Sequence, residues 1–569
     1  MLSKYPSLSF EHLSFYFVFE PGLDYHKRLT RQLGLSIFCV VYSQDFMTTS
    51  SPPPSDTSVW RFSAFNVVLL LTLSLWLWQQ NKPVELPEPK LPADGKLQCV
   101  SYSPYYKNGQ TPLDIKTHIT QQQIDHDLAK LSTQFACVRI YSVGQGLDYV
   151  PEAASKLGMK VYVGAWIGWV KKLNEKELKL AIEVANKYPD TVKALIIGNE
   201  VLLRGEQTES AMKAYILRAK ASTRVPVTYA DVWEFWRKHP KLEESVDFVT
   251  VHILPYWEDK PQPIERSVDH TRNVMNELGK VFKKPILIGE TGWPSLGRQR
   301  EGSKPSLINQ AQYMRGFLTV AEEMHWNYNL IEAFDQPWKR SLEGTVGGYW
   351  GIFDVDMAPK FAFSGDVAER VDGKLPLYAA LLGALLFLAL SLTLKIRTPS
   401  HVVSMLLLGL LVGVSSLLQF EYLAITCKTT QEWLSFGGIV FIGLISLLSI
   451  PAYVFNSNKT AKNMIRLSLT IVLLAAVFSN YLLSMDGRYR DFSITLYALT
   501  VLELSIGLKL LKQSTNTNIL SLRWLGIFLV ATAIYCLYKE PRNDLALIWL
   551  TLCFLIAWAN WPTKRISTL

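Results

Sequence analysis

Hydrophobic and polar positions divide the chain into two kinds of sequence. Long apolar stretches follow one another from residue 375 to residue 561, and one further stretch, 62–78, lies near the N-terminus. About 20 mainly apolar residues suffice to span a membrane. We therefore predict an uncleaved transmembrane anchor at 62–78 and a seven-helix transmembrane region whose spans are 375–394, 402–425, 434–455, 467–485, 493–511, 524–537 and 546–561, the sixth of these being the weakest by length.

The loops between these stretches alternate in charge. Every second one contains Lys or Arg without Asp or Glu, and these are 395–397, 459–466, 509–523 and the tail 562–569. By the positive-inside rule these segments are cytoplasmic. The region between the anchor and the seven spans then faces outward, as the periplasmic part of a multi-pass protein of the cell (inner) membrane.

Three segments flank or connect the main regions. We assign no fold to residues 1–61, which the same rule places in the cytoplasm, and Met47 is an alternative start of translation. Residues 79–96 are a Pro-rich linker, which we expect to be a stiff spacer. Residues 562–569 are a cytoplasmic tail.

Residues 97–370 alternate short β-branched or aromatic runs with longer amphipathic stretches. Such βα repeats predict a parallel sheet, and eight of them predict a closed (β/α)8 barrel, so the fold class is α/β with an added all-α transmembrane region. An open doubly wound sheet is the alternative, and no Gly-rich phosphate loop follows the first run to favour it. The eight runs are 97–103, 136–142, 159–167, 193–200, 225–231, 247–254, 285–291 and 329–335.

Charge and cysteine content narrow the function further. The net charge of +9 could indicate nucleic-acid binding, but many of the basic residues lie in loops between apolar stretches, so we predict a lipid bilayer and no nucleic acid as partner.

Of the six Cys residues, Cys99 and Cys137 fall on neighbouring runs, where a bridge is possible, yet we expect buried free thiols. No His, Cys or Asp cluster has metal-ligand spacing, so we expect neither a metal nor a cofactor.

Two carboxylates end apolar runs. Glu200 closes the fourth run and Glu290 closes the seventh, and barrel enzymes carry their chemistry at these strand ends. Glycoside hydrolysis needs two carboxyl groups beside the scissile bond, and burial raises the pKa of the one that acts as acid. Either Glu alone could equally be a capping or ion-paired residue, but the pair favours catalysis.

The motifs around these residues resemble those of glycoside hydrolase family 17, in particular bacterial-type membrane-bound members. They are VRIYS, IIGNEV, LPYW, IGETGWPS, FDQPWK and GYWGIFD. The resemblance implies a retaining β-1,3-glucanase or glucanosyltransferase, with Glu200 as acid/base, Glu290 as nucleophile and β-glucan as substrate. It departs from the family at His252-Ile-Leu254-Pro-Tyr256, where the family has Asn-x-Tyr-Pro-Tyr, and at Gln336, where an acidic partner of Lys339 is usual.

Sugar-binding side chains are expected at the same strand ends. Asn199 should bind a sugar 2-OH, and Arg139 either orients a catalytic Glu or forms a structural ion pair. The remaining candidates lie inside the matching motifs and are Tyr141, Tyr256, Trp293, Trp338 and Lys339.

Two other functions stay open at this stage. The barrel could be an inactive glucan-binding module, or the apolar region could be a transporter or a partner of a glucan synthase. Glu503 lies inside an apolar stretch, where ionisable residues are usually functional, but one residue does not identify an activity.

Overall fold

The computed structural model describes residues 53–92, 94–514 and 521–561. The expectations for residues 1–52, including the start at Met47, and for the tail 562–569 lie outside the described residues.

Eight parallel strands close into a barrel in which each strand pairs with the next and the last pairs with the first. The sequence prediction of a (β/α)8 barrel is confirmed, with strand ends shifted by a few residues. Register shifts occur at the ends of β4 and β7, where Asn199 and Glu290 lie. The strands are β1 Leu97–Ser101, β2 Phe135–Ile140, β3 Lys160–Ala165, β4 Val192–Asn199, β5 Val227–Val232, β6 Val249–His252, β7 Ile286–Thr291 and β8 Asn327–Leu330.

Helices cover the outside of the barrel, and the longer ones bury an apolar face against it. In Ile264–Val281, for example, Val274, Met275 and Leu278 are buried while intervening polar residues face outward. The helices around the barrel are Gln121–Leu131, Val150–Lys156, Lys171–Lys187, Glu209–Ser222, Trp233–Lys238, Ile264–Val281, Leu307–Glu323 and the short Arg340–Glu343.

A disulfide bond joins Cys99 on β1 to Cys137 on β2. The expectation of free thiols was therefore wrong for this pair, whereas Cys427, Cys536 and Cys553 are free and buried. The two bonded residues lie directly opposite each other in the parallel register of the strands. The sequence predicted neighbouring strands, but only the register brings these side chains together.

The apolar stretches are all helical and form a bundle. In the part of the chain that the structure describes, six helices are long and apolar enough to cross a membrane, and the stretch 524–537, the weakest by length, lies in one of them. The stretch 493–511 is instead broken by a π turn at Glu503–Gly507, which begins at the fully buried Glu503. The helices of this bundle are Asp56–Asn81, Leu375–Thr393, Pro399–Thr426, Thr430–Asn456, Lys459–Met485, Ile494–Leu502, Leu508–Leu510, Ser521–Lys539 and Asp544–Ala559.

The Pro-rich linker packs against the barrel. Val84 pairs with Val367, and the buried Leu86 accepts a hydrogen bond from Arg315 through its carbonyl. The linker therefore holds the barrel close to the bundle and does not act as a free spacer.

The barrel docks on the bundle with the end that carries the carboxyl termini of its strands. In the loop after β7, the buried Arg298 pairs with Glu540, and Gln299 donates to Asp544 at 2.5 Å. Glu540 lies in the segment between the last two bundle helices, and Asp544 is the first residue of the last one.

The loops after β6 and β8 make the same kind of contact. Arg488, between bundle helices, donates to the Trp257 carbonyl at 2.6 Å, and Thr345 donates to Asp491 at 2.6 Å. The catalytic end of the barrel therefore faces the bundle.

Candidate active site

Glu290 lies near the end of β7 and is 5% exposed. Its Oε1 accepts hydrogen bonds from the Tyr141 hydroxyl at 2.7 Å and from Arg139 Nη1 at 3.2 Å. Both donors come from β2 or the residue just after it, across the barrel from β7. Two donors on one oxygen orient the carboxylate and leave its other oxygen to face the cleft.

Glu200 follows β4 directly and has the positive φ of 52°, which is unusual for a residue with a side chain. This conformation turns the chain sharply at the strand end. Oε1 of Glu200 lies 3.0 Å from His252 Nδ1, and Oε2 lies 3.7 Å from Arg204. The side chain is 22% exposed, so it is more accessible than Glu290.

The two carboxylates face each other across the barrel end. Oxygens of Glu200 and Glu290 and a ring nitrogen of His252 all lie within 4.8 Å of one another. Such a triad could hold a metal ion, but the Arg139 guanidinium contacts the same Glu290 oxygen, and its positive charge opposes a second cation there. The arrangement suits two carboxylates acting on one bond.

Arg139 connects the residues around the carboxylates. It is 1% exposed and donates to Asn199 Oδ1 at 2.5 Å, to the Gly289 carbonyl at 2.6 Å and to Glu290. The position fits the predicted role of carboxylate orienter, and it ties β2, β4 and β7 into one rigid site.

His252, at the end of β6, is a site residue whose role was not predicted. It is 1% exposed and contacts both catalytic candidates, since Nε2 lies 3.6 Å from Glu290. Nε2 also lies 3.3 Å from Arg139 Nη1, which can only donate, so Nε2 accepts and Nδ1–H donates to Glu200. The sequence indicated this position only through its departure from the family motif, in which His252 stands where the family has Asn.

The pKa of Glu200 is lowered. Burial raises this pKa, but the hydrogen bond from His252 and the positive charges of Arg204 and Arg139 outweigh burial. The sequence argument from burial alone predicted the opposite direction. Polar partners from β2 and β6, which are distant in the sequence, account for the difference.

Lys339 has an acidic partner, although Gln336 replaces the one usual in the family. Lys339 Nζ lies 2.8 Å from both carboxylate oxygens of Glu332, which is fully buried just after β8. Burial raises the pKa of Glu332 to about 7, although Lys339 opposes this shift. Glu332 is therefore the acidic partner of Lys339, the role that Gln336 cannot fill.

Two of the predicted sugar-binding aromatics are core residues. Tyr256 and Trp293 are fully buried, and their polar atoms donate to the carbonyls of Arg298 and Lys304. Trp338 is half-buried on the loop after β8, beside Lys339, and donates to Gln336. Of the three aromatics, only Trp338 is placed to offer a ring to a ligand.

Residues 99–351 match the family model of the BtgE/BtgC glycoside hydrolase domain. A probable beta-glucosidase btgE of Aspergillus flavus is 26% identical over 268 residues, which cover 46% of this chain and 42% of that protein. A probable glucan endo-1,3-beta-glucosidase btgC of Aspergillus terreus is 27% identical over 286 residues, covering 45% and 43%. The chain thus spans less than half the length of these curated relatives.

Solved structures with a similar barrel include a β-1,3-glucanosyltransferase of glycoside hydrolase family 17 from Rhizomucor miehei. It is 23% identical, covers 48% of this chain and 99% of its own, and has a TM-score of 0.42. An endo-laminarinase from Formosa is 21% identical, covers 47% and 86%, and has a TM-score of 0.40. The family-model match over residues 99–351 bears out the predicted resemblance of the barrel to glycoside hydrolases.

Proposed function

We propose that this protein is a retaining glycosidase that acts on β-1,3-glucan, with Glu290 as nucleophile and Glu200 as acid/base. The observation that carries the proposal is the separation of the two carboxylates, whose oxygens lie within 4.8 Å. Retaining enzymes place their carboxyl groups about 5–5.5 Å apart, and inverting enzymes leave room for a water between them.

In the first step Glu290 attacks the anomeric carbon of the sugar. The glycosidic C–O bond breaks, and the leaving oxygen takes the proton of Glu200. The bonds from Tyr141 and Arg139 hold Glu290 in the attacking orientation. Asn199 Oδ1 accepts a hydrogen bond from Arg139, so the amide nitrogen of Asn199 is the group available to a sugar 2-OH.

In the second step Glu200 removes a proton from an incoming hydroxyl group, which attacks the same carbon and releases Glu290 as a carboxylate. Water as the attacking group gives hydrolysis, and a sugar hydroxyl gives transfer. Each of the two steps inverts the configuration of this carbon, so the two inversions together keep the β-configuration.

The apolar bundle supports a membrane location with the barrel outside. Six helices within the described residues have the length and composition to span a bilayer, and from the loop charges we infer that the barrel lies on the side away from the cytoplasm. The disulfide between Cys99 and Cys137 agrees with an oxidising compartment. Protease added to intact spheroplasts should cleave the barrel and spare 459–466, whereas protection of the barrel would contradict this orientation.

Azide rescue tests the assignment of the two Glu residues. Glu200→Ala should keep the first step on an aryl glucoside with a good leaving group, and azide should then give the β-glucosyl azide because it needs no base. Glu290→Ala should lose turnover, with azide attacking from the vacated face to give the α-azide.

If Glu200→Ala gave the α-azide and Glu290→Ala gave the β-azide, the roles of the two residues would have to be exchanged. If neither variant responds and both still bind glucan, the barrel is a binding module instead of an enzyme.

A further inference from the structure

Five large apolar side chains stand exposed on the barrel and form what we call the apolar rim. Ile115 is 90% exposed and Trp169 is 69% exposed, and both belong to loops rather than to helix faces. The full set is Leu113, Ile115, Trp169, Val170 and Leu173. Several large apolar side chains exposed at one end of a domain indicate an interaction surface.

The rim lies at the same end of the barrel as the contacts with the bundle. Leu113 and Ile115 follow β1, and Trp169 and Val170 follow β3, so their loops start from the carboxyl ends of strands. The loops after β6, β7 and β8 start from that same end and rest on the bundle. If the bundle spans a bilayer, the rim points toward the bilayer surface beside it.

Basic residues flank the rim. Lys116 follows Ile115, and Lys171 and Lys172 follow Val170, and all three are exposed. Asp114 is the acidic exception, and its carboxylate accepts the backbone N–H of Lys116. Apolar tips with adjacent lysines are typical of segments that insert into the boundary between lipid headgroups and acyl chains, and Trp prefers that depth.

The composition favours lipid over sugar as the occupant. Sugar sites pair aromatic rings with polar side chains, whereas four of the five rim residues are aliphatic. Leu113, Ile115 and Val170 lie on two loops, and Leu173 lies in the first turn of the helix Lys171–Lys187. Trp166, which precedes the rim in the loop after β3, differs because the Arg204 guanidinium covers its ring at 4.7 Å and also approaches Glu200. Trp166 therefore belongs with the cleft, whereas no hydrogen bond, ion pair or ring contact among the described residues joins a rim side chain to Glu200 or Glu290.

We propose that the apolar rim inserts into the outer leaflet of the membrane, so that the catalytic cleft opens toward the bilayer surface between the rim and the bundle. This inference rests on the proposed membrane topology of the bundle. Its consequence is that the enzyme takes glucan lying at the membrane surface in preference to glucan free in solution.

Lipid quenching of site-specific probes tests the inference. An environment-sensitive fluorescent amino acid is incorporated into the full chain in place of Trp169, Val281 or Leu385, and each protein is placed in bilayers of phosphatidylethanolamine and phosphatidylglycerol with or without brominated acyl chains. Val281, at the opposite end of the barrel, is a matched control that is 45% exposed. Leu385, exposed on the bundle helix Leu375–Thr393, reports whether the bundle is in the bilayer.

We expect quenching at positions 169 and 385 and none at 281. Quenching at 385 without quenching at 169 would overturn the rim inference and leave the topology standing. Absence of quenching at 385 would instead refute the topology. A probe at 169 that responds to soluble laminari-oligosaccharide but not to brominated lipid would make the rim a sugar site and overturn the proposal.

A double variant, Ile115→Ser with Trp169→Ser, tests the consequence for the reaction. We expect its rate on soluble laminari-oligosaccharides to stay within about twofold of the parent, because no such contact joins these side chains to Glu200 or Glu290 among the described residues. Its rate on a β-1,3-glucan oligosaccharide coupled to a lipid in the same bilayers should fall about tenfold or more. Equal losses on both substrates, or no loss on either, would contradict the proposed orientation of the cleft.

Discussion

The substitution Tyr141→Phe removes one oxygen atom from the candidate site. The Tyr141 hydroxyl donates to Glu290 at 2.7 Å and lies 2.9 Å from Ser101 Oγ. Burial and the charge of Glu290 raise the pKa of the Tyr141 phenol, so it remains protonated and able to donate. The variant keeps the ring, over which Arg139 lies at 4.6 Å.

The expected rate change follows from the hydrogen bond that Tyr141→Phe removes. A hydrogen bond to a charged group contributes about 1.5–3 kcal/mol, which corresponds to a rate change of roughly 10- to 150-fold. In the second step Glu290 leaves as a carboxylate, and the Tyr141 hydroxyl stabilises the charge that develops. In the first step the same hydrogen bond stabilises the Glu290 carboxylate before it attacks. Its loss makes this carboxylate more reactive, which offsets part of the rate decrease in that step.

We therefore expect the second step to slow more than the first. With an activated aryl β-glucoside, kcat should fall about 10- to 150-fold, and KM should fall with it because the glycosyl-enzyme accumulates. A burst of aryl alcohol in rapid-mixing experiments would report that accumulation directly.

The matched control is Tyr102→Phe. Tyr102 is also buried in the barrel and donates to a buried carboxylate, Asp127, which is not part of the site. This variant should retain kcat. A Tyr141→Phe enzyme with unchanged kcat, or one that loses kcat/KM through a higher KM, would refute the proposed contact with the nucleophile.

Three further changes test other parts of the structure. His252→Ala should raise the pKa of Glu200 and move the basic limb of the kcat/KM profile to higher pH, and a shift to lower pH would contradict the contact. Lys339→Met should lower the thermal-inactivation midpoint at pH 8, where Glu332 without its partner is either a buried unpaired charge or binds a proton that the unfolded chain does not hold. Leaving a buried charge unpaired costs about 3–5 kcal/mol, which is the upper limit of the loss. The decrease should be much smaller at pH 5, below the Glu332 pKa of about 7 in the parent. Adding Glu332→Gln should restore the midpoint, whereas equal losses at both pH values would exclude this ion pair as the cause. Cys99→Ser opens a loop of 38 residues and should destabilise the barrel by about 4 kcal/mol, seen as a lower midpoint without reductant and no difference from the parent after full reduction.

The sign of the Lys339 prediction comes from the raised pKa of Glu332. A carboxyl group that binds its proton more tightly in the folded protein makes the fold less stable as pH rises from its unfolded pKa to its folded pKa. Removing Lys339 raises the folded pKa of Glu332 further, so the loss extends to higher pH. The test therefore compares the two pH values within each variant.

Local patterns in the sequence were enough to predict the barrel and the two carboxylates. The alternation of buried strands and amphipathic helices repeats eight times, and backbone periodicity alone sets which residues face the core. Glu200 and Glu290 end such strands, and a parallel barrel brings all strand ends to one side. The apolar helices were equally visible, because length and hydrophobicity are local properties.

Only the tertiary structure decided which side chains meet. Register pairs Cys99 with Cys137, barrel closure brings His252 to both carboxylates, and folding of the segment after β8 gives Lys339 the partner Glu332. These contacts join residues that the one-dimensional pattern treats independently, and their geometry depends on the shear and closure of the whole barrel.

The same distinction holds for the two regions of the chain. The sequence was enough to predict a barrel and an apolar bundle, because the barrel has a repeating strand and helix pattern and the bundle has long continuous apolar stretches. It could not determine that the catalytic end of the barrel rests on the bundle, because that contact is made by loop residues such as Arg298 and Glu540 that lie 242 positions apart. Ion pairs and hydrogen bonds between loops carry no periodic signal, so only the folded chain shows which face is covered and which remains open.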